Sequence, residues 1–204
     1  MATLFQDPAQ MEFLVHRALP ELVRAYGYGV SRQLVVWSAG CCTGEETYAL
    51  AMVLSEFGAR YPGLGFDFLI LASDPSPDRL EKARQAIYHE EAASAVPMEL
   101  KMKYLMKSRD SGKRLVRIVP ELRDSVKFRK IDLEGGEFGF RESIDIIFCH
   151  GLPPRGDKTR REILLDRFCR ILSSGGYLFM ACPDGPGNPD VPLASVARSI
   201  FRKE

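Results

Sequence analysis

An apolar run, Leu34-Val35-Val36-Trp37, passes directly into a string of small residues, Ser38-Ala39-Gly40-Cys41-Cys42-Thr43-Gly44. A helical pattern follows, with Leu50, Val53, Leu54 and Phe57 on one face. Strand, small-residue loop and helix in that order open a nucleotide-type α/β fold. Small residues let the backbone approach a ligand closely, and the start of the helix offers unpaired N–H donors. The loop lacks the closely spaced glycines of a dinucleotide fingerprint and the Lys-Ser/Thr pair of a triphosphate loop. What remains is a ligand that needs close backbone contact without a phosphate cradle, a description that S-adenosylmethionine fits.

The rest of the chain continues the alternation. Asp7–Tyr26 reads as a helix, with Asp7 as its N-cap, Pro8 at its first position, Leu14, Ala18, Leu22 and Ala25 on one face, and Pro20 kinking or splitting it. Strands are expected at Leu34–Trp37, Phe66–Ala72, Ile144–Cys149 and Tyr177–Cys182, with a last one at Val196–Phe201. The helices between them are expected at Thr47–Phe57, Ser76–Ile87 (Leu80, Ala83 and Ile87 inward) and Thr159–Leu172 (Leu164, Phe168, Ile171 and Leu172 inward). Near-continuous apolar strands alternating with helices predict a doubly wound, mostly parallel sheet with right-handed crossovers. Leu115–Val119 and Val126–Ile131 alternate in polarity instead, which predicts a small antiparallel β-subdomain inserted at about 101–131. The whole reads as one domain over 1–204.

The string Trp37 to Glu46 closely resembles the signature of CheR-type chemotaxis receptor methyltransferases. Ala72-Ser73-Asp74, Gly112–Leu133, Ile144–Cys149, Asp157-Lys158 and Ser174–Phe179 follow in that family's order. The resemblance implies a Rossmann-like class I fold, S-adenosylmethionine (or its product S-adenosylhomocysteine) as cofactor, and esterification of receptor glutamates as activity. It also implies that the inserted β-subdomain, which grips the receptor's tail in some members, serves a partner.

Composition narrows the partners. A net charge of +1 over 204 residues excludes a general polyanion binder, so no nucleic acid is expected. Lys101–Lys130 nevertheless holds 11 basic residues against three acids. That asymmetry reads either as a docking face for an acidic protein or as a solvated outer face whose edge lysines discourage aggregation. There is no basic leader followed by an apolar run and no stretch long enough to span a bilayer, so neither secretion nor membrane insertion is expected. Five cysteines without CxxC spacing suit a reduced, cytoplasmic protein and no metal site. Cys41 and Cys42 read as small loop residues rather than reactive thiols, since nothing basic flanks them.

In an open α/β sheet the ligand lies beyond the carboxyl ends of the strands. Ala39, Gly40, Thr43 and Gly44 are therefore expected to touch the methionine part of the cofactor through backbone. Asp74, an acceptor-only group at the second strand's end, suits both ribose hydroxyls; its plainer role is to cap the helix starting near Ser76. The resemblance puts Glu46 in the cofactor pocket, and a helix-dipole acid is the alternative. Asp132, with Leu133 beside it, follows the strand Val126–Ile131 and suits the adenine amino group, where the family usually has Asn. The alternative for Asp132 is a turn before Gly135-Gly136. His150, at the exit of the fourth strand, is both a cofactor-side candidate and a catalytic one. His16 and His89 read as helix-surface residues.

The departures from the family lie on the substrate side. Its Thr-x-Phe-Phe-Arg becomes Ala2-Thr3-Leu4-Phe5-Gln6, its Arg-Asn-Val becomes His150-Gly151-Leu152, and Arg155 replaces a tyrosine. The helical domain that usually precedes this point is not in the chain. Gln6, His150 and Arg155 are thus the candidate catalytic positions, with the family's arginine clamp gone. Two readings follow: a carboxyl O-methyltransferase of the CheR type or a divergent relative, and a catalytically impaired cofactor-binding module in a sensory assembly. A small-molecule methyltransferase and a nicotinamide oxidoreductase rank below them.

Overall fold

The computed structural model describes residues 3–5, 7–140, 142–150, 158–181 and 191–204. Helix α1 (Pro8–Phe13) is capped by Asp7, whose side chain accepts from the Gln10 amide at 3.1 Å. It continues through a π-helical turn (Leu14–Ala18) into α2 (Leu19–Tyr26). Pro20 widens one turn instead of splitting the helix. Proline brings no N–H for the carbonyl four residues back, and the Leu19 amide reaches Leu14 O, five residues back. Leu14, Ala18 and Leu22 are buried as expected; Ala25 is exposed.

Strand β1 (Leu34–Ala39) leads through the small-residue loop into α3 (Glu45–Arg60), and β2 (Phe68–Asp74) into α4 (Pro77–Gln85). After α4 come β3 (Ile87–His89), α5 (Met98–Tyr104), β4 (Leu105–Lys107), β5 (Leu115–Ile118), α6 (Pro120–Asp124) and β6 (Val126–Lys130). Then follow β7 (Ile144–Cys149), α7 (Lys158–Ile171), β8 (Leu172–Met180), β9 (Leu193–Ala197) and β10 (Ile200–Lys203).

The main sheet has the order β6-β2-β1-β7-β8-β10-β9. The pairs from β6 to β8 are parallel, and β10 runs antiparallel to both of its neighbours. Val36, Ile70, Ile146, Phe148 and Phe179 pack on one face with α1, α2 and α3, while Val35, Trp37, Ile147 and Leu178 pack on the other with α7. Both faces are covered, which is why these strands read as apolar runs instead of alternating. It is the doubly wound arrangement that the alternation of strands and helices predicts.

Three expectations are corrected. Val126–Lys130 is not part of the antiparallel insert: it pairs in parallel with β2 at the edge of the main sheet, and its outer side makes it look alternating. The small antiparallel sheet, β3-β5-β4, takes its third strand from Ile87–His89 instead. Ile87 therefore leaves the helix that was to carry it and is 46% exposed, and His89 sits in a strand. Val196–Phe201 is not one strand but spans the turn of the β9–β10 hairpin, with Ser199 at φ 60°.

Candidate functional site

The carboxyl ends of β6, β2, β1, β7 and β8 share one edge, and the loop after β1 folds over it. Gly40 (φ 75°), Cys42 (φ 50°) and Gly44 (φ 93°) all take the left-handed conformation there. The amides of Gly40 and Cys41 donate to Ser73 O at 2.8 Å each, tying the loop to the end of β2. Ala39, the last residue of β1, is buried beneath it. Thr43 turns its hydroxyl onto the Glu45 carboxylate (2.7 and 2.8 Å), and its carbonyl accepts from the Tyr88 hydroxyl at 2.8 Å. The small sheet thus pins the loop through β3.

Gly44 is required for two reasons. Its φ is one that side chains rarely adopt, and a Cβ there would lie 2.9 Å from Tyr88 Oη and 3.0 Å from Ala83 Cβ. From sequence alone a substitution at Gly44 is expected to affect the ligand and spare the fold. The structure shows that it strikes packing as well.

Asp74 is buried at the end of β2 (1% exposed). Its Oδ2 accepts from the Cys42 amide at 3.1 Å, its Oδ1 accepts from the Ser76 amide at 2.9 Å, and Arg79 lies 3.7 Å away. The helix cap is Ser76 itself, accepting from the Arg79 amide. Asp132 follows β6, is exposed and forms a turn, with Oδ1 accepting from the Glu134 amide at 3.0 Å. The neighbouring Leu133 carbonyl accepts from Arg167 at 2.8 Å. Cys41 is buried, and burial, with Asp74 and Cys42 adding, pushes its thiol up to about 12; burial also raises Cys42. Both stay protonated at neutral pH, as small loop residues do.

Glu46 and His150 meet across the edge. The Glu46 carboxylate pairs with His150 Nδ1 and accepts from the Ser38 hydroxyl at 3.3 Å; Thr47 donates to Ser38 in turn at 3.0 Å. His150 Nε2 lies 3.0 Å from Gln10 Oε1, and Gln10 Nε2 donates to Met180 O at 2.8 Å. Both ring nitrogens of His150 are therefore engaged, leaving no N–H to grip a second carboxylate. Burial alone would lower the His150 titration; the hydrogen bond and charge of Glu46, with the charge of Asp7, outweigh it and raise it above the ordinary value. Gln6, Gly151, Arg155 and the fifth cysteine, Cys182, lie outside the described residues.

Sequence reasoning did not single out Gln10, Ser38 or Tyr88. Gln10 had a signal: it stands on the apolar stripe of Leu14 and Ala18, four residues apart each time, where a polar residue needs a buried partner. Ser38 is likewise a polar residue inside an apolar strand. Tyr88 had none, since its contact depends on where the small sheet sits.

The residues fit an adenosyl amino acid. Two carboxylates lie at the turn, Asp74 bonded to its Cys42 amide and Glu46 in the first turn of α3 after it, and a carboxylate can accept from hydroxyl and ammonium groups. The turn itself carries no cation for a phosphate. Among the described residues no group of three or more His, Cys, Asp or Glu could hold a metal ion, and no helix is long and apolar enough to cross a membrane.

Comparison with known proteins agrees with this arrangement. The family model described as CheR methyltransferase, SAM binding domain, matches residues 1–182. A chemotaxis protein methyltransferase of Borreliella burgdorferi is 32% identical over 176 residues, covering 86% of this chain and 61% of that protein. Its counterpart in Escherichia coli is 36% identical over 145 residues, 71% of this chain and 49% of that protein. Chemotaxis protein methyltransferase 2 of Pseudomonas aeruginosa is 34% identical over 171 residues, 83% and 60% respectively. The chain spans about half to three-fifths of the length of these relatives.

Proposed function

This chain belongs to the CheR methyltransferase SAM-binding domain family, and from that premise we propose that it is a carboxyl O-methyltransferase whose acceptor is a protein glutamate presented in a divergent way. The observation that carries the proposal is the pair of carboxylates at the carboxyl edge: Asp74, bonded to the positive-φ turn Gly40–Gly44 at Cys42, and Glu46, paired with His150 just after that turn.

S-adenosylmethionine, when bound, supplies an electrophilic methyl group on a sulfonium centre. The chain's own residues have the remaining tasks. Asp74 accepts from the ribose hydroxyls, the backbone of Ala39, Gly40, Thr43 and Gly44 lines the amino-acid part, and Glu46 places a negative charge beside it. Asp132 and Leu133 stand on the adenine side, at the end of β6. A glutamate acceptor is ionised at neutral pH and needs no strong base. Holding it in one orientation is the main task, and such positioning can be worth about 7–11 kcal/mol. Gln6, Gly151 and Arg155 differ from the family's pattern on that side, so ordinary chemoreceptor glutamates are expected to be poor acceptors for this chain alone. The basic 101–130 segment, with Lys101, Lys107 and Arg109 among its cations, supports recruitment of an acidic partner through contacts that salt would screen.

The altered substrate-side residues favour one second reading, a module that binds the cofactor without transferring from it. Incubation with radiolabelled S-adenosylmethionine and cell lysate separates the two. Base-labile label on a protein is the result expected of a carboxyl methyltransferase. Base-stable label would contradict the carboxylate acceptor, and binding without any transfer would favour the module.

A further inference from the structure

The Gln10 side chain stands between His150 and the end of β8, and its orientation is fixed. Its amide nitrogen faces the Met180 carbonyl at 2.8 Å, since a flipped amide would set two acceptors against each other. Gln10 Oε1 must then face His150 Nε2 at 3.0 Å, while the Glu46 carboxylate faces Nδ1. Both neighbours of the ring are acceptors, and a neutral imidazole has only one N–H to give. From this geometry we propose that Gln10 is a positioning residue of the site: it requires a proton on each His150 nitrogen, and the resulting imidazolium holds the Glu46 carboxylate in place beside the cofactor loop.

The surroundings agree. Gln10 is 3% exposed, and the side chains of His150 and Glu46 are 20% and 15% exposed, so water competes little for these bonds. Among the described residues the groups facing the ring are Glu46 from α3, Gln10 and the Asp7 charge from α1, and the edge-on Phe148 ring of β7 at 6.2 Å. Both charges are negative and favour the imidazolium. Ser38 completes the support by donating to Glu46 from β1. The consequence is that α1 is tied, through His150, to the same carboxylate that the cofactor reading uses. The inference rests on that reading for its consequence at Glu46, but not for the protonation of His150.

The test is NMR titration of the His150 ring nitrogens in the ligand-free protein. The wild type should carry both protons at pH 7 and titrate above the ordinary histidine value. Gln10→Met, close in shape but without the acceptor, should lower the titration by about one unit or more, the worth of a hydrogen bond to a charged group. Gln10→Glu should raise it, since a second carboxylate then faces the ring. A residue with a merely structural role would not move the titration in opposite directions. A wild-type ring that titrates at or below the ordinary value, or two variants that shift it the same way, would overturn the proposal, and the wild-type reading alone decides it if a variant fails to fold. Failure of S-adenosylhomocysteine to bind in a parallel calorimetric run would count against the cofactor reading and leave the titration result intact.

Discussion

The two ends of β7 each hold a carboxylate–cation pair, and they are built to opposite plans. At the start of the strand, fully buried Asp145 accepts from Arg32 at 2.8 and 2.5 Å, from the Val35 amide at 2.9 Å and from the Ser173 hydroxyl at 2.7 Å. Four donors fill the roughly four acceptor positions a carboxylate has. Arg32 also stacks on the Tyr28 ring at 3.8 Å. Past the other end, among the described residues, Glu46 takes Ser38 and His150, and Asp74 takes two backbone amides and a distant arginine. The saturated end is a clamp joining β1, β7 and β8. Among the described residues the second end has fewer donors on its carboxylates, and it is also where Gly40, Cys42 and Gly44 take positive φ. Burial of a charge does not by itself tell structure from function here; what remains unsatisfied around it does.

The comparison breaks most visibly at the clamp. Asp145→Ala leaves the Val35 amide and the Ser173 hydroxyl without their acceptor and removes the partner of Arg32, whose side chain is 41% exposed and can partly rehydrate. A loss of about 3 kcal/mol is expected, read as a fall in Tm of roughly 6–12 °C, with the affinity of the folded fraction for S-adenosylhomocysteine unchanged. A change in affinity would mean the two ends are coupled.

Gly44→Val comes next. The forced φ and the contacts with Tyr88 and Ala83 should cost about 2 kcal/mol of stability, and S-adenosylhomocysteine binding should be lost as well. A variant normal in both melting and binding would remove the loop from the site.

The smallest effect is at the open end. Glu46→Gln removes the charge of a largely shielded pair but keeps a hydrogen-bonding amide in its place, so a loss of about 1–2 kcal/mol is expected, and its effect depends on pH. His150 titrates higher in the folded chain than in the unfolded one, so the pair's stabilisation is complete below the ordinary histidine value, about 6.5. It fades as pH rises through the raised folded value. Denaturant midpoints of wild type and variant should therefore differ most in mild acid and converge in alkali; a gap that widens with pH would contradict the pairing.

How far the sequence foretold this depended on whether contacts were local. β1, the loop and α3 were readable because apolar run, small residues and helical spacing are adjacent in the chain. Asp7 as N-cap was readable because a cap acts across three residues. β6 was misplaced because an edge strand alternates in polarity whether its neighbour is parallel or antiparallel. Ile87 was misplaced because nothing in α4 announces where the helix stops; Ala86 ends it with φ 52°, a conformation few sequences signal. At the site, Asp74 and Glu46 were visible as acids at the ends of elements. The Gln10–His150 contact joins residues 140 apart, and only the closed sheet brings them together.

The central claim is that the carboxyl edge around Asp74 holds an adenosyl cofactor. Calorimetric titration of the wild type and Asp74→Ala with S-adenosylhomocysteine tests it most directly. Wild type should bind, and the variant should bind more weakly by at least about 1–2 kcal/mol, the loss of hydrogen bonds to a charged group. Equal affinity in the two proteins, or no binding by a folded wild type, would contradict the account.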